Sequence, residues 1–338
     1  MSKKIAAFGE VMMRMQVPEN LLLTQANSLQ YSFSGTGVNI TGSIEKLGYE
    51  SALISTLPAN PIGDAAISHL QKLGISTDYI ARSGNYIGMY FLENGIGARP
   101  SRVTYSNRME SSFNTASKSN YSFHKIAEEI DLLHVCGITL AMNENVRQQM
   151  IRLANLVKEQ GGTVLFDCNY RPSLWGENGH LKAKPYYDQL LNIADMVMMN
   201  EKDALYTLEY HCQHQEREKQ LEELIPKVAD DYNIAMIAGT HRTIHRDDSH
   251  SIKGYLYQAG KFHYAKQEQF RVLDRIGAGD AFATGIIHGK LQDFQPQQTI
   301  QFATASCMLA HTIVGDTPLS TKQEILQASN HQIRDVIR

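Results

Sequence analysis

Short apolar runs alternate along this chain with longer segments whose apolar positions recur every three or four residues. Residues 5–8, closed by Gly9, predict a buried strand, and Glu10 and Arg14 bracket a second extended piece over 11–13. A helical pattern through Ile40, Ile44 and Leu47 ends at Gly48, a residue suited to a helix C-terminus. Residues 51–57 read as a strand, 62–73 as a helix, and 79–81 as extended. The Lys-Leu-Gly ending recurs at 46–48 and 72–74, the rhythm of crossover helices on a parallel sheet.

From residue 132 the alternation resumes. Strands are predicted at 132–136, 163–167, 196–199 and 234–238, and helices at 144–160, 201–210 and 216–228. Residues 241–251 are polar and read as a loop, 255–257 and 262–264 as a hairpin, and 281–291, 299–311 and 322–329 as helices. No Pro, Gly or Ser-rich linker divides the chain. The expectation is one α/β domain over 1–338, with a mostly parallel central sheet flanked by helices.

Between residues 86 and 105 the pattern changes. Residues 86–92 and 102–105, joined through Asn94-Gly95-Ile96-Gly97, predict a hairpin outside the main sheet. With 11–15 and 31–33 it would make a small β lid, built from about 11–33 and 86–108, that closes over a substrate. Exposed lid strands would offer edges for pairing, so a homo-oligomer, most simply a homodimer, is expected.

Composition narrows the function. With 43% hydrophobic residues a buried core is assured, and a net charge of −3 provides no polycationic face for nucleic acid or anionic lipid. Cys136, Cys168, Cys212 and Cys307 are widely spaced without a Cys-x-x-Cys, which predicts free thiols in a reducing compartment. The apolar stretch after Lys3 and Lys4 is too short for a signal sequence, and no spanning segment is evident, so a cytoplasmic protein is expected. His211, Cys212 and His214 lack a second ligand cluster and read as a polar loop. There is no P-loop, no protein-kinase signature, and no Gly-x-Gly-x-x-Gly after the first strand.

The segment from Asp274 to Phe282 organises the chemistry. Gly277 and Gly279 flank Ala278 just before an apolar helix, so the backbone can turn tightly and present free helix amides to an anion. Asp280 at that mouth would repel a phosphate, and its sensible use is to accept a proton. A plain helix cap explains the residue without chemistry, and only its company separates the two readings. That company includes Ser34-Gly35-Thr36-Gly37-Val38-Asn39, where glycine admits a close ligand and Asn39 offers both donor and acceptor. It also includes Asp167-Cys168-Asn169-Tyr170-Arg171-Pro172-Ser173-Leu174-Trp175, in which the planar fork of Arg171 matches phosphate or carboxylate.

Together these motifs resemble the PfkB (ribokinase-like) carbohydrate kinases, where Asp-Thr-x-Gly-Ala-Gly-Asp is usual, and within them the 2-keto-3-deoxygluconate kinases. The resemblance runs from Ile5 to about Ser329. It implies a ribokinase-like fold, with Gly277, Ala278 and Gly279 stabilising the moving phosphoryl and Asp280 taking the proton of the attacking hydroxyl. It places Gly35, Asn39, Tyr90, Arg102, Tyr105, Arg108, Arg171 and Asp316 at the sugar. Asn169, Arg171, Asn200, Gly277 and Gly279 would meet the nucleotide, and Asp203 would hold magnesium through water. ATP and Mg2+ are the implied cofactors, and a role for K+ is left open. Arg275, Ser34, Gly37, Asp203 and Ser106-Asn107 depart from the usual pattern, and either Asn107 or Arg108 would stand for a family arginine that faces the sugar acid. The implied reaction converts 2-keto-3-deoxygluconate to its 6-phosphate. Alternatives are another sugar kinase of this fold, acting on fructose, ribose or a nucleoside, and a catalytically silent sugar-acid-binding protein.

Overall fold

The computed structural model describes residues 3–330. In chain order the strands are β1 (Lys4–Phe8), β2 (Met12–Gln16), β3 (Gln30–Ser34), β4 (Glu50–Leu57), β5 (Ile80–Arg82), β6 (Gly88–Glu93) and β7 (Arg102–Ser106). They continue with β8 (Leu132–Cys136), β9 (Thr163–Asp167), β10 (Met196–Met198), β11 (Met236–Ile244), β12 (His250–Gln258), β13 (Lys261–Tyr264) and β14 (Glu268–Phe270). The helices are α1 (Thr36–Lys46), α2 (Pro61–Lys72), α3 (Phe123–Glu129), α4 (Gly137–Leu140), α5 (Glu144–Glu159), α6 (Pro172–Trp175) and α7 (Gly179–Leu191). After them come α8 (Arg217–Tyr232), α9 (Ala278–Leu291), α10 (Pro296–Ala310) and α11 (Lys322–Ser329).

Ten strands form one sheet in the order β13-β12-β11-β10-β9-β8-β1-β4-β5, with β14 on β12. From β11 to β5 every pairing is parallel. Apolar residues on adjacent strand positions divide between two faces, as the two-residue period requires. Val164 and Phe166 of β9 pack with α5, α7 and α8, whereas Leu165 packs with α1, α9 and α10. The expected mostly parallel sheet flanked by helices is therefore present.

The predicted outer hairpin also forms. β6 and β7 pair antiparallel with Tyr90 opposite Tyr105, and the second sheet runs β3-β2-β6-β7. Its β2–β6 contact is parallel, so the chain crosses from one half of this sheet to the other through α1 and β4.

Three expectations need correction. The polar segment 241–251 is not a loop: β11 and β12 pair antiparallel along nine residues each and turn only around His245–Ser249. Polarity misleads there because backbone pairing holds the exposed Arg242, Thr243 and Ile244 extended, while Ser249, His250 and Ser251 are buried although polar. α7 was not anticipated, since it starts at Gly179 and carries Pro185 inside, yet Ala183, Tyr187, Leu190 and Leu191 bury one face. The helix expected over 201–210 widens at Asp203–Thr207 into a π-turn, with Leu208 N–H donating to the Asp203 carbonyl at 3.0 Å. Among the described residues no helix is long and apolar enough to cross a membrane.

Candidate active site

The C-terminal ends of the parallel strands and the small sheet together enclose a cavity of about 1160 Å³. Ligands favour this end of a parallel sheet because strand-to-helix turns converge there with free helix amides. Met12, Ser34, Tyr90 and Tyr105 line it from the small sheet, and Asp167, Asn169, Arg171, Asn200, Asp203 and Gly239 from the strand ends. Arg275, Gly277, Gly279 and Asp280 complete the floor.

Gly277 caps α9 with φ +83°, in the left-handed region, and a β-carbon there would lie 1.7 Å from the Asp316 carbonyl oxygen. Only glycine fits both constraints. Asp280 stands in the first turn of α9, and its Oδ2 accepts from Asn39 Nδ2 at 2.7 Å. Thr317 Oγ1 in turn donates to Asn39 Oδ1 at 3.3 Å, which fixes the amide's orientation. Burial pushes the Asp280 carboxyl up to about 7; the Asn39 bond and Arg171 oppose this, and Asp167 adds to it. The ordinary carboxylate value near ~4 therefore does not apply.

Two more carboxylates share this environment. Asp203 is pushed up to about 7, chiefly by burial, although Asn200 N–H donates to its Oδ2 at 2.8 Å. Asp167 is lifted by burial to about 6, against the pull of Arg171. Among the described residues no group of three or more acidic, His or Cys side chains is arranged to enclose a metal. Carboxylates on an open cavity wall instead suit a hydrated Mg2+ carried by phosphate, which keeps most of its waters. Glu201 points away from the cavity, buried between Arg217 at 2.5 Å and His241 at 2.8 Å.

The glycine turn is tied to the small sheet by a group that sequence reasoning missed. Arg14 of β2 is 1% exposed; its Nη2 donates to Asp274 Oδ2 at 2.9 Å and its Nη1 donates to the Asp316 carboxylate. Asp274 Oδ1 accepts from the N–H of Arg275 at 2.7 Å and of Ile276 at 3.1 Å, so it shapes the approach to Gly277. Ser34 Oγ and Tyr90 OH also donate to Asp316. The signal was an arginine set among methionines in a short extended run.

Of the anticipated site residues, the structure brings Gly35, Asn39, Tyr90, Tyr105, Asn169, Arg171, Asn200, Asp203, Gly277, Gly279, Asp280 and Asp316 to one cavity. Gly35 must be glycine, because φ is +148° and a β-carbon would meet the Glu10 carbonyl at 2.2 Å. Ala278 is buried in the first turn of α9. Asn169 donates to Cys136 Sγ at 3.2 Å.

Arg102 and Arg108 do not reach the cavity. Arg108 is buried, with its Nε donating to Glu10 Oε2 at 2.8 Å and its guanidinium over the Tyr105 ring. A buried acid captures that arginine, and Ser111 and Asn114 complete its shell. Arg102 lies 3.6 Å from Glu93 on the exposed side of β7. Asn107, with φ +52°, forms the bend that sends Arg108 inward. The cation on the small sheet's side of the cavity is Arg99, whose Nη2 donates to the carbonyls of Asn20 and Asn94.

The sequence profile described as "pfkB family carbohydrate kinase" matches residues 2–322. A 2-dehydro-3-deoxygalactonokinase from Haloferax volcanii is 26% identical over 326 residues, covering 96% of each chain. The structure of 2-dehydro-3-deoxygluconokinase from Thermotoga maritima superposes with a TM-score of 0.93 at 31% identity, covering 98% of this chain and 99% of that one. A provisionally assigned 2-keto-3-deoxygluconate kinase from Enterococcus faecalis gives 0.95 at 39% identity, with 100% and 99% covered.

Proposed function

The chain belongs to the pfkB family of carbohydrate kinases, and from that premise we propose that it phosphorylates 2-keto-3-deoxygluconate, or a close keto-sugar acid, at the 6-hydroxyl with ATP. The observation that carries this reading is Asp280, oriented by Asn39 and seated at the N-terminus of α9 within the cavity. The sugar acid as substrate is supported by the names of the relatives and by Arg99 and Arg171 on the cavity wall.

In this mechanism the sugar hydroxyl oxygen bonds to the γ-phosphorus as the bond to the β-phosphate oxygen breaks, and ADP leaves. Asp280 accepts the hydroxyl proton. A base with a pKa near 7 is still far weaker than an alkoxide, so the proton moves late, as the oxygen begins to bond phosphorus. Free amides at Gly277, Ala278 and Gly279 stabilise charge on the moving phosphoryl, with Arg171 beside them. Asp203 and Asp167 would hold the water shell of Mg2+, which supplies charge neutralisation to the bound triphosphate. The small sheet acts as the lid that excludes water, with Tyr90 and Tyr105 toward the sugar.

A panel of sugars with coupled detection of ADP tests the substrate. The 2-keto-3-deoxy acids of the gluco and galacto series should exceed fructose and ribose in kcat/KM by about 10²-fold or more, since a neutral sugar cannot make the charge-assisted hydrogen bonds that a carboxylate would make with the cavity arginines. Preference for a neutral sugar would overturn the assignment, and sugar binding without ADP release would overturn the kinase.

The proton step has its own signature. Asp280 must be ionised to act, so kcat/KM should fall about tenfold per unit as pH drops below about 7. A rate flat down to pH 5 would exclude it as the base.

A further inference from the structure

Asn39, on α1, is 3% exposed, and a buried amide must satisfy its two ends separately. An ionised carboxylate only accepts, so Asp280 Oδ2 takes the Nδ2 end at 2.7 Å. That leaves Oδ1 turned the other way, where the Thr317 hydroxyl donates to it at 3.3 Å. Turned over, the amide would set Oδ1 against an Asp280 oxygen, and two acceptors at that distance repel. A donor on the far side of Asn39 therefore decides which end meets the acid.

Thr317 lies between α10 and α11 and stands behind the cavity wall, whereas Asn39, Asp280 and Asp316 line it. Its methyl packs on α1 at Gly42, where a β-carbon would come within 2.8 Å. The preceding residue is anchored more firmly. Asp316 accepts from Arg14, Ser34 and Tyr90 of the small sheet, and its carbonyl closes on Gly277. Residues 316–317 thus touch the small sheet, the glycine turn and α1 at one place.

We propose that Thr317 is a positioning residue for phosphoryl transfer, whose hydroxyl locks the Asn39 amide so that Asp280 is held ready for the sugar hydroxyl. The adjoining Asp316 ties that lock to the seated small sheet. This rests on the kinase reading above and adds to it a group that touches neither sugar nor nucleotide. Because Thr317 acts on the acid only through Asn39, its loss should slow the chemical step and leave sugar binding nearly unchanged.

The test is steady-state kinetics of the full chain with 2-keto-3-deoxygluconate, ATP and Mg2+, comparing wild type with Thr317→Val and Thr317→Ser. Valine keeps the shape and removes the hydroxyl, so kcat should fall about tenfold, the scale of one hydrogen bond, while the KM for the sugar acid stays within about twofold. Serine keeps the hydroxyl, so its kcat should stay within about twofold of wild type. Thermal midpoints should match wild type in both, since Thr317 is only half-buried. Thr317→Val is then repeated in Asp280→Asn. A carboxamide at 280 can pair with either end of Asn39, so in that background the valine should cost no further activity. A merely structural role would slow both backgrounds alike and make serine as harmful as valine. Either result, a KM that rises as far as kcat falls, or normal turnover in Thr317→Val would overturn the lock and leave the kinase reading intact. A wild-type chain that releases no ADP with the sugar acid would overturn both readings.

Discussion

Asp280→Asn is expected to lower turnover by about 10²-fold or more while the KM for the sugar acid changes little. The amide keeps the size of the carboxylate but cannot accept the hydroxyl proton. Asn39 Nδ2, which donates to Asp280 Oδ2 at 2.7 Å, can still find the amide oxygen, so the pocket should keep its shape. Steady-state kinetics with saturating ATP decides the matter, and near-normal turnover would remove Asp280 from the chemistry. The same variant carries an independent thermal readout. The Asp280 carboxyl titrates near 7 when folded and well below that when unfolded, so between those values the folded chain holds a proton that the unfolded chain releases. Its contribution therefore grows more unfavourable as pH rises through that window. Asp280→Asn should accordingly melt higher than wild type at pH 8, and the difference should vanish toward pH 4. Lost turnover together with gained heat resistance would fit a group placed for catalysis at the expense of stability.

Arg14→Met is expected to cost about 3–5 kcal/mol of stability, the range for removing one partner from a buried ionic group. Methionine approximates the length of the side chain, but the Asp274 and Asp316 carboxylates would face each other without the guanidinium between them. Arg14→Lys should fall between, because a single ammonium cannot reproduce a fork that serves Asp274, Asp316 and the Gln16 side-chain oxygen. Chemical denaturation monitored by circular dichroism would measure both. A loss below about 1 kcal/mol for Arg14→Met would mean that the carboxylates find other partners. Because Asp274 also shapes the backbone entering Gly277, any residual folded Arg14→Met should lose activity more than sugar binding.

Local pattern carried much of this architecture. β8 and β9 lie at the predicted residues, and α11 begins and ends as expected, because these segments combine clear periodicity with recognisable stops. The glycine turn before α9 was equally plain, since only a turn with positive φ makes sense of that spacing. What pattern could not reveal were pairings between distant segments. Arg108 looks from its sequence like a cavity cation, and only the fold shows Glu10 waiting for it. The β11–β12 hairpin was hidden by its polar residues, of which Arg242 and Thr243 are exposed and held extended by backbone pairing while His250 and Ser251 are buried. Burial was also invisible, and burial is what moves Asp167, Asp203 and Asp280 out of the usual carboxylate range.

The Arg14 bridge has a consequence for biosynthesis. Its three members come from opposite ends of the chain, and contacts of such long sequence separation form late. On a translating ribosome the N-terminal arginine would emerge long before either counter-ion exists. The nascent small sheet should therefore remain unlocked until the polypeptide is nearly finished, and a chain arrested before residue 316 should be unusually sensitive to protease around β2.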